Sequence, residues 1–331
     1  MLTLLADVPA VDDRPAYRPY RAIVAGIRRL SDHFVRVTFT GPDFGAFGTA
    51  GLDQRVKLVF PLPGVGLSDF GADDPETISE GTWYSRWRAL PDAARNPFRT
   101  YTVRAVRPEA LELDVDFVVH RDRSHGDGDD AIEGQHGPAA RWLHGAAVGD
   151  ELVVVGPDAR SRDAGIGLDW RPGLATRVLL AGDETAAPAI CSILESLPEG
   201  IRARAFIEVP DAADALQVRM PAGGEVTWLA RGDAPHGTRL DAAVREWIGA
   251  NPELFTSAVL SEPQPFADID VDLETLWDSP QAAPGNDFYA WLAGEAGVIK
   301  LLRRFLVSET GIDRSQVAFM GYWRLGRGEA Q

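Results

Sequence analysis

RTYTVR, residues 99–104, places a guanidinium, an aromatic ring and hydroxyl groups in one short stretch. Alternate side chains of an extended strand share a face, so Arg99 and Tyr101 would point one way and Thr102 the other. A flavin nucleotide needs such a set, because its phosphate suits a fork-shaped cation and its flat ring suits an aromatic wall. The same residues also fit an ordinary strand with a surface arginine and a core tyrosine, so the surrounding sequence must decide.

Strand patterns lie on both sides of this stretch. Residues 35–39 alternate apolar and polar side chains, and residues 55–61 form another apolar run. Residues 111–120 place five apolar side chains on one face and end with His120 on the other. Residues 151–156 add a further apolar strand. Several short strands separated by turn residues predict an antiparallel β-barrel.

Three polar segments interrupt the predicted barrel. Residues 64–87 are rich in Gly, Asp and Ser and predict a long loop, and residues 121–136 predict an acidic loop. The His and Asp residues of the acidic loop fit no tight ligand spacing, so we expect no metal site there. Residues 137–142, GPAARW, predict a tight turn into a short helix, where small residues would let a phosphate approach the backbone amides. A plain turn before a helix is the alternative.

The residue pattern changes after residue 172 and predicts a second domain. Residues 177–181 form a buried strand, followed by the turn GDET and a helix with Pro188 in its first turn. Asp183 or Thr185 is a candidate cap for that helix. Further strands are expected at 203–209, 226–230, 288–292 and 316–323, with helices at 240–248 and 295–309. This alternation predicts a doubly wound parallel sheet, with GDET where a dinucleotide site belongs.

Composition limits the function. The chain has 331 residues, enough for two domains, and a formal net charge of −16 with a pI near 4.8. This charge argues against a nucleic-acid partner or an anionic membrane surface. Cys191 is the one cysteine, which excludes an intramolecular disulfide and a thiolate metal cluster. The sequence shows neither a signal-peptide pattern nor a membrane-spanning run, so we expect a cytoplasmic protein without stable membrane insertion.

Six motifs occur in order along the chain. They are RTYTVR at 99–104, DVDFVVH at 114–120, GPAARW at 137–142, LLAGDETAAPAI at 179–190, WLAGEAG at 291–297 and GYWRLG at 321–326. This ordered set resembles the siderophore-interacting protein family, FAD-containing ferric-siderophore reductases related to the ferredoxin reductases. Two features depart from the family: the acidic loop after residue 120 is longer, and the insertion at 249–286 is idiosyncratic.

The resemblance implies an N-terminal Greek-key barrel that binds FAD, residues 17–172, and a C-terminal α/β domain that binds NAD(P)H, residues 173–331. It implies that Arg99 binds the FAD phosphates, that Tyr101 flanks the isoalloxazine and that Thr102 reaches its edge. The residues implied at the ribityl or pyrophosphate portion are His120, Gly137, Ala139 and Ala140. The residues implied in the second domain are Asp183 and Thr185 at the border of the cofactor, and Gly294 and Glu295 at NAD(P)H.

The resemblance also implies an activity. Electrons would pass from NADH or NADPH through FAD to Fe(III) in a ferric siderophore, a small-molecule substrate, and Fe(II) would be released. The flavin carries the chemistry, so we expect neither a catalytic side chain nor a protein-bound metal. One alternative is a general flavin reductase or a ferredoxin-type electron-transfer flavoprotein, with a ferredoxin as a possible donor. Another alternative is a non-catalytic siderophore-binding protein.

The choice between NADH and NADPH depends on charges near the predicted second strand of the C-terminal sheet. Glu208 lies at the end of that strand, where an acid can accept a hydrogen bond from a ribose 2′-hydroxyl and would repel a 2′-phosphate. Arg202, Arg204 and Arg231 lie nearby and are candidates to bind that phosphate instead. Glu208 therefore favours NADH, and a solvent-exposed glutamate at a strand end is the alternative.

A small basic patch is predicted to bind the ferric chelate, because a chain of charge −16 would repel an anionic siderophore at long range. The chain contains two lysines, Lys57 and Lys300, among many arginines. Arg303 and Arg304 follow Lys300 at helical spacing, on a face next to the predicted core positions. Those core positions are Val298, Leu301, Leu302, Phe305 and Leu306. An ordinary solvated helix face with two isolated lysines is the alternative.

Overall fold

The computed structural model describes residues 11–48, 51–119, 137–262, 264, 271, 274–281, 285 and 287–326. The first sheet contains β1 (Tyr17–Arg29), β2 (Phe34–Thr40), β3 (Arg55–Val59), β4 (Phe98–Thr102), β5 (Ala105–Arg107), β6 (Glu112–Val118) and β7 (Glu151–Pro157). The second contains β8 (Arg177–Gly182), β9 (Arg202–Val209), β10 (Gly224–Ala230), β11 (Trp277–Asp278), β12 (Phe288–Glu295) and β13 (Val317–Trp323). The α-helices are α1 (Pro75–Glu80), α2 (Trp83–Ala89), α3 (Pro138–Gly145), α4 (Ala187–Ser196), α5 (Thr238–Ala250) and α6 (Ala296–Arg304).

The first sheet is the predicted antiparallel barrel. Its strand order is β4-β3-β7-β1-β2-β6-β5, so β7 lies between β1 and β3 as in a Greek key. The register of β1 on β2 shifts between Val24 and Gly26, a bulge that bends this long strand around the core. Val37, Phe39 and Val115 are fully buried in that core, as the alternation of their strands predicts.

The segment 64–87 is not the long loop that its composition predicted. It contains α1 and the start of α2, which cover the outer face of the barrel. The Asp74 carboxylate accepts a hydrogen bond from the Thr77 amide and caps α1. Trp83 and Trp87 lie four residues apart on one side of α2 and pack in an apolar cluster outside β3 and β7. The loop was predicted from the Gly and Asp content of the segment, and the helical spacing of the two tryptophans was not considered.

The second sheet is the predicted doubly wound sheet. Its order is β10-β9-β8-β12-β13-β11, and every pairing is parallel except that of β11 with β13. One face packs against α4 and the other against α5 and α6, each through a buried apolar cluster. Among the parallel strands, chain order runs outward from β8 to β10 in one direction and from β12 to β13 in the other, and the short antiparallel β11 lies at the edge beyond β13. The switch point, where such sheets bind ligands, therefore lies at the carboxyl ends of β8 and β12.

Polar contacts join the two sheets. The Arg104 guanidinium, just after β4, donates two hydrogen bonds to Glu195 of α4, at 2.7 and 2.8 Å. Asp214, after β9, is fully buried and accepts hydrogen bonds from Ser31 of the barrel at 2.6 Å. The Trp291 indole donates across the same boundary to Asp53 at 3.2 Å. These contacts fix the orientation of the second sheet against the barrel.

Within these described ranges, no helix is both long enough and apolar enough to cross a membrane.

Candidate functional site

The β4 strand carries the first predicted flavin-binding residues in the expected arrangement. Arg99 and Tyr101 are half-buried and lie on one face, while Thr102 is buried on the other and pairs with Arg55 of β3. The Tyr101 ring lies 4.5 Å from the Phe117 ring, at the edge of the barrel core. The strand therefore presents a guanidinium and an aromatic ring side by side at a partly open surface.

The GPAARW motif forms α3, which packs against β4. Gly137 is the residue before the helix, Pro138 occupies its first position, and a methyl group built on Gly137 would meet no described atom within 4 Å. Ala139 is buried in the barrel core, whereas Ala140 is exposed. The open backbone at Gly137, before α3, and the Arg99 guanidinium, on the strand that α3 contacts, are groups that suit a nucleotide phosphate. His120 lies outside the described residues.

The C-terminal half of α3 borders a cavity that sequence reasoning missed. Its volume is about 550 Å³, and the Trp142 ring on its wall lies 5.4 Å from the Phe60 ring. The Arg21 guanidinium at this cavity is held by Asp73, at 2.8 Å. The lining residues are Arg21, Pro61, Gly66, Leu67, Trp142, Gly145, Asp150 and Glu151. They come from segments far apart in sequence, so no local motif indicates this space.

Asp183 is the centre of the switch point. One carboxylate oxygen accepts hydrogen bonds from the Thr185 amide and hydroxyl, at 2.9 and 2.5 Å. The other accepts from the Glu295 amide at 2.7 Å and from the Trp323 indole at 2.8 Å. Burial, and then the charge of Glu184, raises the pKa of Asp183 to about 6. The carboxylate therefore ties the turn after β8 to the ends of β12 and β13. The N-cap of α4 is Ala186. The prediction that Asp183 or Thr185 caps this helix was therefore wrong.

Gly294 is required by this arrangement. Its φ angle is +146°, in the region that favours glycine, and a Cβ there would lie 2.6 Å from an Asp183 carboxylate oxygen. Glu295 follows and caps α6, accepting a hydrogen bond from the Val298 amide at 2.9 Å. The structure thus brings together Asp183, Thr185, Gly294 and Glu295, the residues that the resemblance implied at the cofactor border and at NAD(P)H. Whether they contact a cofactor stays a prediction.

Glu208 does not have the exposed position that a ribose contact requires. Its side chain is fully buried, and its carboxylate accepts hydrogen bonds from the amides of Gly237, Arg239 and Leu240 at 2.8 to 3.0 Å. Arg231 donates to the same carboxylate at 3.3 Å. Both oxygens are therefore used to cap α5 and to balance a buried arginine. The geometry argues against the predicted contact between Glu208 and a ribose.

The arginines predicted to compete with Glu208 are also engaged elsewhere. Arg202 begins β9, and Arg204 lies two residues later and pairs with Glu225, near the amino ends of their strands. A dinucleotide binds at the opposite, carboxyl edge of such a sheet. Arg231 lies at that edge, but both of its terminal nitrogens donate to Glu184 at 2.9 Å. Burial would raise the pKa of Glu184, yet the hydrogen bonds to Arg231 outweigh it and lower that pKa.

The predicted basic patch on α6 is only partly formed. Arg303 is 5% exposed, with its guanidinium 5.9 Å from the centre of the Phe319 ring, whereas Leu301 is 56% exposed. Leu302, Phe305 and Leu306 are buried as predicted, and Val298 packs against the same core. The prediction was wrong for Leu301, because Ile299 faces the core and Leu301 faces solvent. Arg303 therefore does not share an exposed face with its neighbours.

The other predicted chelate-binding residues lie in separate parts of the fold. Lys300 is half-buried and Arg304 exposed on α6, in the second domain. Lys57 belongs to β3 of the barrel, and its ammonium group lies 4.5 Å from the centre of the Phe98 ring. A contact between these residues and a ferric chelate stays a prediction.

Comparison with known families covers both sheets. Residues 23–161 match the family described as the siderophore-interacting FAD-binding domain, and residues 175–326 match the family described as siderophore-interacting protein. An uncharacterised protein of Mycobacterium tuberculosis is 33% identical over 319 residues, which cover 95% of this chain and 93% of that protein.

Two further relatives have informative names. The ferric vibriobactin reductase of Vibrio cholerae is 27% identical, with 94% of this chain and 92% of that protein covered. The crystal structure of a siderophore utilization protein from T. fusca is 27% identical with a TM-score of 0.64, covering 96% of this chain and 97% of that one. The chain therefore belongs to the siderophore-interacting protein family, with a FAD-binding domain in its N-terminal half.

Proposed function

We propose that this protein is a ferric-siderophore reductase that passes electrons from NAD(P)H through FAD to Fe(III) held in a siderophore. One observation carries the proposal: Arg99 and Tyr101 of β4 lie close in sequence to Arg104, whose guanidinium is hydrogen-bonded to Glu195 of α4 beside the second sheet. A flavin on β4 and a dinucleotide at the switch point would thereby be held against each other. The relative named as a ferric vibriobactin reductase supports the iron substrate.

The residues of this chain would bind and orient. Arg99 and the backbone at Gly137 would hold the phosphates, Tyr101 would pack on the isoalloxazine ring, and Thr102 lies at the end of the same strand. The bound flavin supplies the chemistry, because it accepts electron pairs from a nicotinamide and releases electrons singly to a metal. Asp183 would keep the switch-point backbone in place beside the nicotinamide.

The proposal also covers the location and the substrate contact. We place the protein in the cytoplasm and the domain boundary near residue 172, with NADH or NADPH as donor and a ferredoxin as the alternative donor. Lys57, Lys300 and Arg304 remain candidates for the ferric chelate, and buried Arg303 is withdrawn. The release of iron follows from reduction, because Fe(II) binds hard oxygen donors less strongly than Fe(III).

The first expected result is a yellow protein with a flavin absorbance spectrum and turnover that depends on a ferric siderophore. The measurement is steady-state oxidation of NADH and NADPH with a ferric chelate as acceptor, compared with free flavin as acceptor. Equal rates with both acceptors would favour a general flavin reductase. Chelate binding by a protein that purifies without flavin and does not take it up would instead favour a siderophore-binding protein.

The second expected result is weaker FAD binding in Arg99→Ala. A charge-assisted phosphate contact contributes about 1.5–3 kcal/mol, so the Kd for FAD should rise roughly ten- to a hundredfold. Titration of the flavin-free protein with FAD, followed by flavin fluorescence, measures this change. Arg88→Ala is the matched control, because Arg88 is exposed on α2. An unchanged Kd in Arg99→Ala would remove Arg99 from the phosphate site.

A further inference from the structure

We propose that the buried triad of Glu184, Arg231 and Glu208 sets the specificity for the electron donor, so that the enzyme uses NADH and rejects NADPH. The inference rests on the proposed function, since it concerns the donor of the same reaction. It replaces the direct contact between Glu208 and ribose with an indirect effect, in which two carboxylates neutralise the arginine that would attract a 2′-phosphate.

The triad lies where the adenosine end of a dinucleotide is expected. Glu184 is in the turn after β8, Glu208 is the last residue but one of β9, and Arg231 directly follows β10. These strands are neighbours and parallel, so the three residues meet at the carboxyl edge of the sheet. A dinucleotide crosses this edge from the switch point, and the acid or arginine near the second strand distinguishes a 2′-hydroxyl from a 2′-phosphate.

The guanidinium of Arg231 is already engaged by two carboxylates. It is 8% exposed, donates two hydrogen bonds of 2.9 Å to Glu184 and one of 3.3 Å to Glu208. Two carboxylates against one guanidinium leave one net negative charge in the triad. A 2′-phosphate placed here would meet a net negative group instead of a free cation, whereas a 2′-hydroxyl brings no charge.

The backbone amides at the start of α5 offer no second route to that phosphate. Backbone amides at a helix N-terminus are a common anion site, but the amides of Gly237, Arg239 and Leu240 already donate to Glu208. A ligand phosphate would therefore have to displace a buried carboxylate from three hydrogen bonds. The same carboxylate thus blocks both the amides and the arginine.

Other cations near this edge define the competing explanation. Arg204 is held by Glu225 towards the amino end of its strand. Arg239 is exposed in the first turn of α5 and is the side chain most able to reach a 2′-phosphate by another approach. His236 is half-buried beside the triad, and burial and the charge of Arg231 lower its pKa. The experiment therefore has to separate Arg231 from Arg239.

The test measures flavin reduction in the FAD-loaded protein with NADH and with NADPH. For the wild type, kcat/KM should be at least about tenfold higher with NADH, a typical effect of one charged contact. In Glu184→Gln, which preserves side-chain shape but releases Arg231 from one carboxylate, the ratio of NADH to NADPH should fall by about tenfold or more. In the matched control Glu225→Gln, which releases Arg204 away from the carboxyl edge, the ratio should stay at the wild-type value.

A binding measurement on the wild type needs no variant. Inhibition by 2′,5′-ADP should be weaker than inhibition by 5′-ADP, and Glu184→Gln should strengthen inhibition by 2′,5′-ADP specifically. A wild-type preference for NADPH that disappears in Arg239→Ala would overturn the proposal and assign the phosphate to α5. A ratio unchanged in Glu184→Gln would also overturn it. Reduction by neither donor would overturn the proposed function itself, and the donor assignment with it.

Discussion

Replacing Glu208 by alanine is expected to lower the free energy of unfolding by about 3–5 kcal/mol, the cost of breaking a buried ion pair from one side. The carboxylate accepts three backbone hydrogen bonds at the start of α5 and one from Arg231. Without it, three buried or half-buried amides lose their partners, and Arg231 keeps only Glu184. The main effect of Glu208→Ala should therefore be a lower stability of the fold, and an effect on the recognition of the electron donor should be secondary.

Chemical denaturation of the FAD-loaded protein measures this loss, and Glu246→Ala serves as the control because Glu246 is exposed on the same helix. The control should change the free energy of unfolding by less than about 0.5 kcal/mol. A Glu208→Ala protein of wild-type stability with a raised KM for NADH would contradict the capping role. That result would instead support the direct contact between Glu208 and the ribose that the sequence predicted.

Gly294→Ala is expected to cost about 3 kcal/mol or more in stability and to abolish flavin reduction by NAD(P)H. A backbone angle in this region costs a residue with a side chain about 1–3 kcal/mol. The added methyl group would also lie 2.6 Å from an Asp183 oxygen, which would have to leave the Glu295 amide or the Trp323 indole. The backbone at the switch point would then move.

Gly149→Ala separates the cost of the backbone angle from the cost of the clash with Asp183. Gly149 has a φ of +99°, but there is open space where a Cβ would be added. It should show only the backbone cost. Gly294→Ala should still bind FAD, since the proposed FAD-binding residues Arg99, Tyr101 and Gly137 lie in the barrel. Rapid mixing with NADH should then leave the flavin oxidised. Normal reduction of the flavin in Gly294→Ala would mean that the switch point is not the nicotinamide site.

The fold was predictable because periodicity reports burial directly. In β2 and β6, apolar and polar residues alternate because one face of each strand packs against a core. In β8 and β12, both faces are buried, so the residues form apolar runs. All four strands appear in the structure at nearly the predicted bounds. The two helices between β3 and β4 were missed because a Gly- and Asp-rich composition outweighed a tryptophan pair four residues apart. On α6 the prediction holds for Leu302, Phe305 and Leu306, which are buried. It is wrong for Leu301, which is exposed, and for Arg303, which is buried.

The candidate site was only partly predictable. The resemblance to a known family identified Asp183 and Gly294, and the structure brings both to one point. The sequence could not predict that Glu208 and Arg231 contact each other. They lie at the ends of two different strands, and whether those ends meet depends on the order of strands in the sheet. A charged residue at a strand end looks the same in sequence whether it faces solvent or is neutralised in the interior.

The hydrogen-bonded ion pair between Arg104 and Glu195 has a consequence for the step that limits the catalytic rate. The strand that carries Arg99 and Tyr101 continues directly into Arg104, whose guanidinium holds α4 of the other domain at 2.7 and 2.8 Å. The spacing between a flavin on β4 and a nicotinamide at the switch point would thus be set once, when the chain folds. Each catalytic cycle would begin from a preassembled cleft, and the rate would depend on entry and exit of the two substrates rather than on hinge motion.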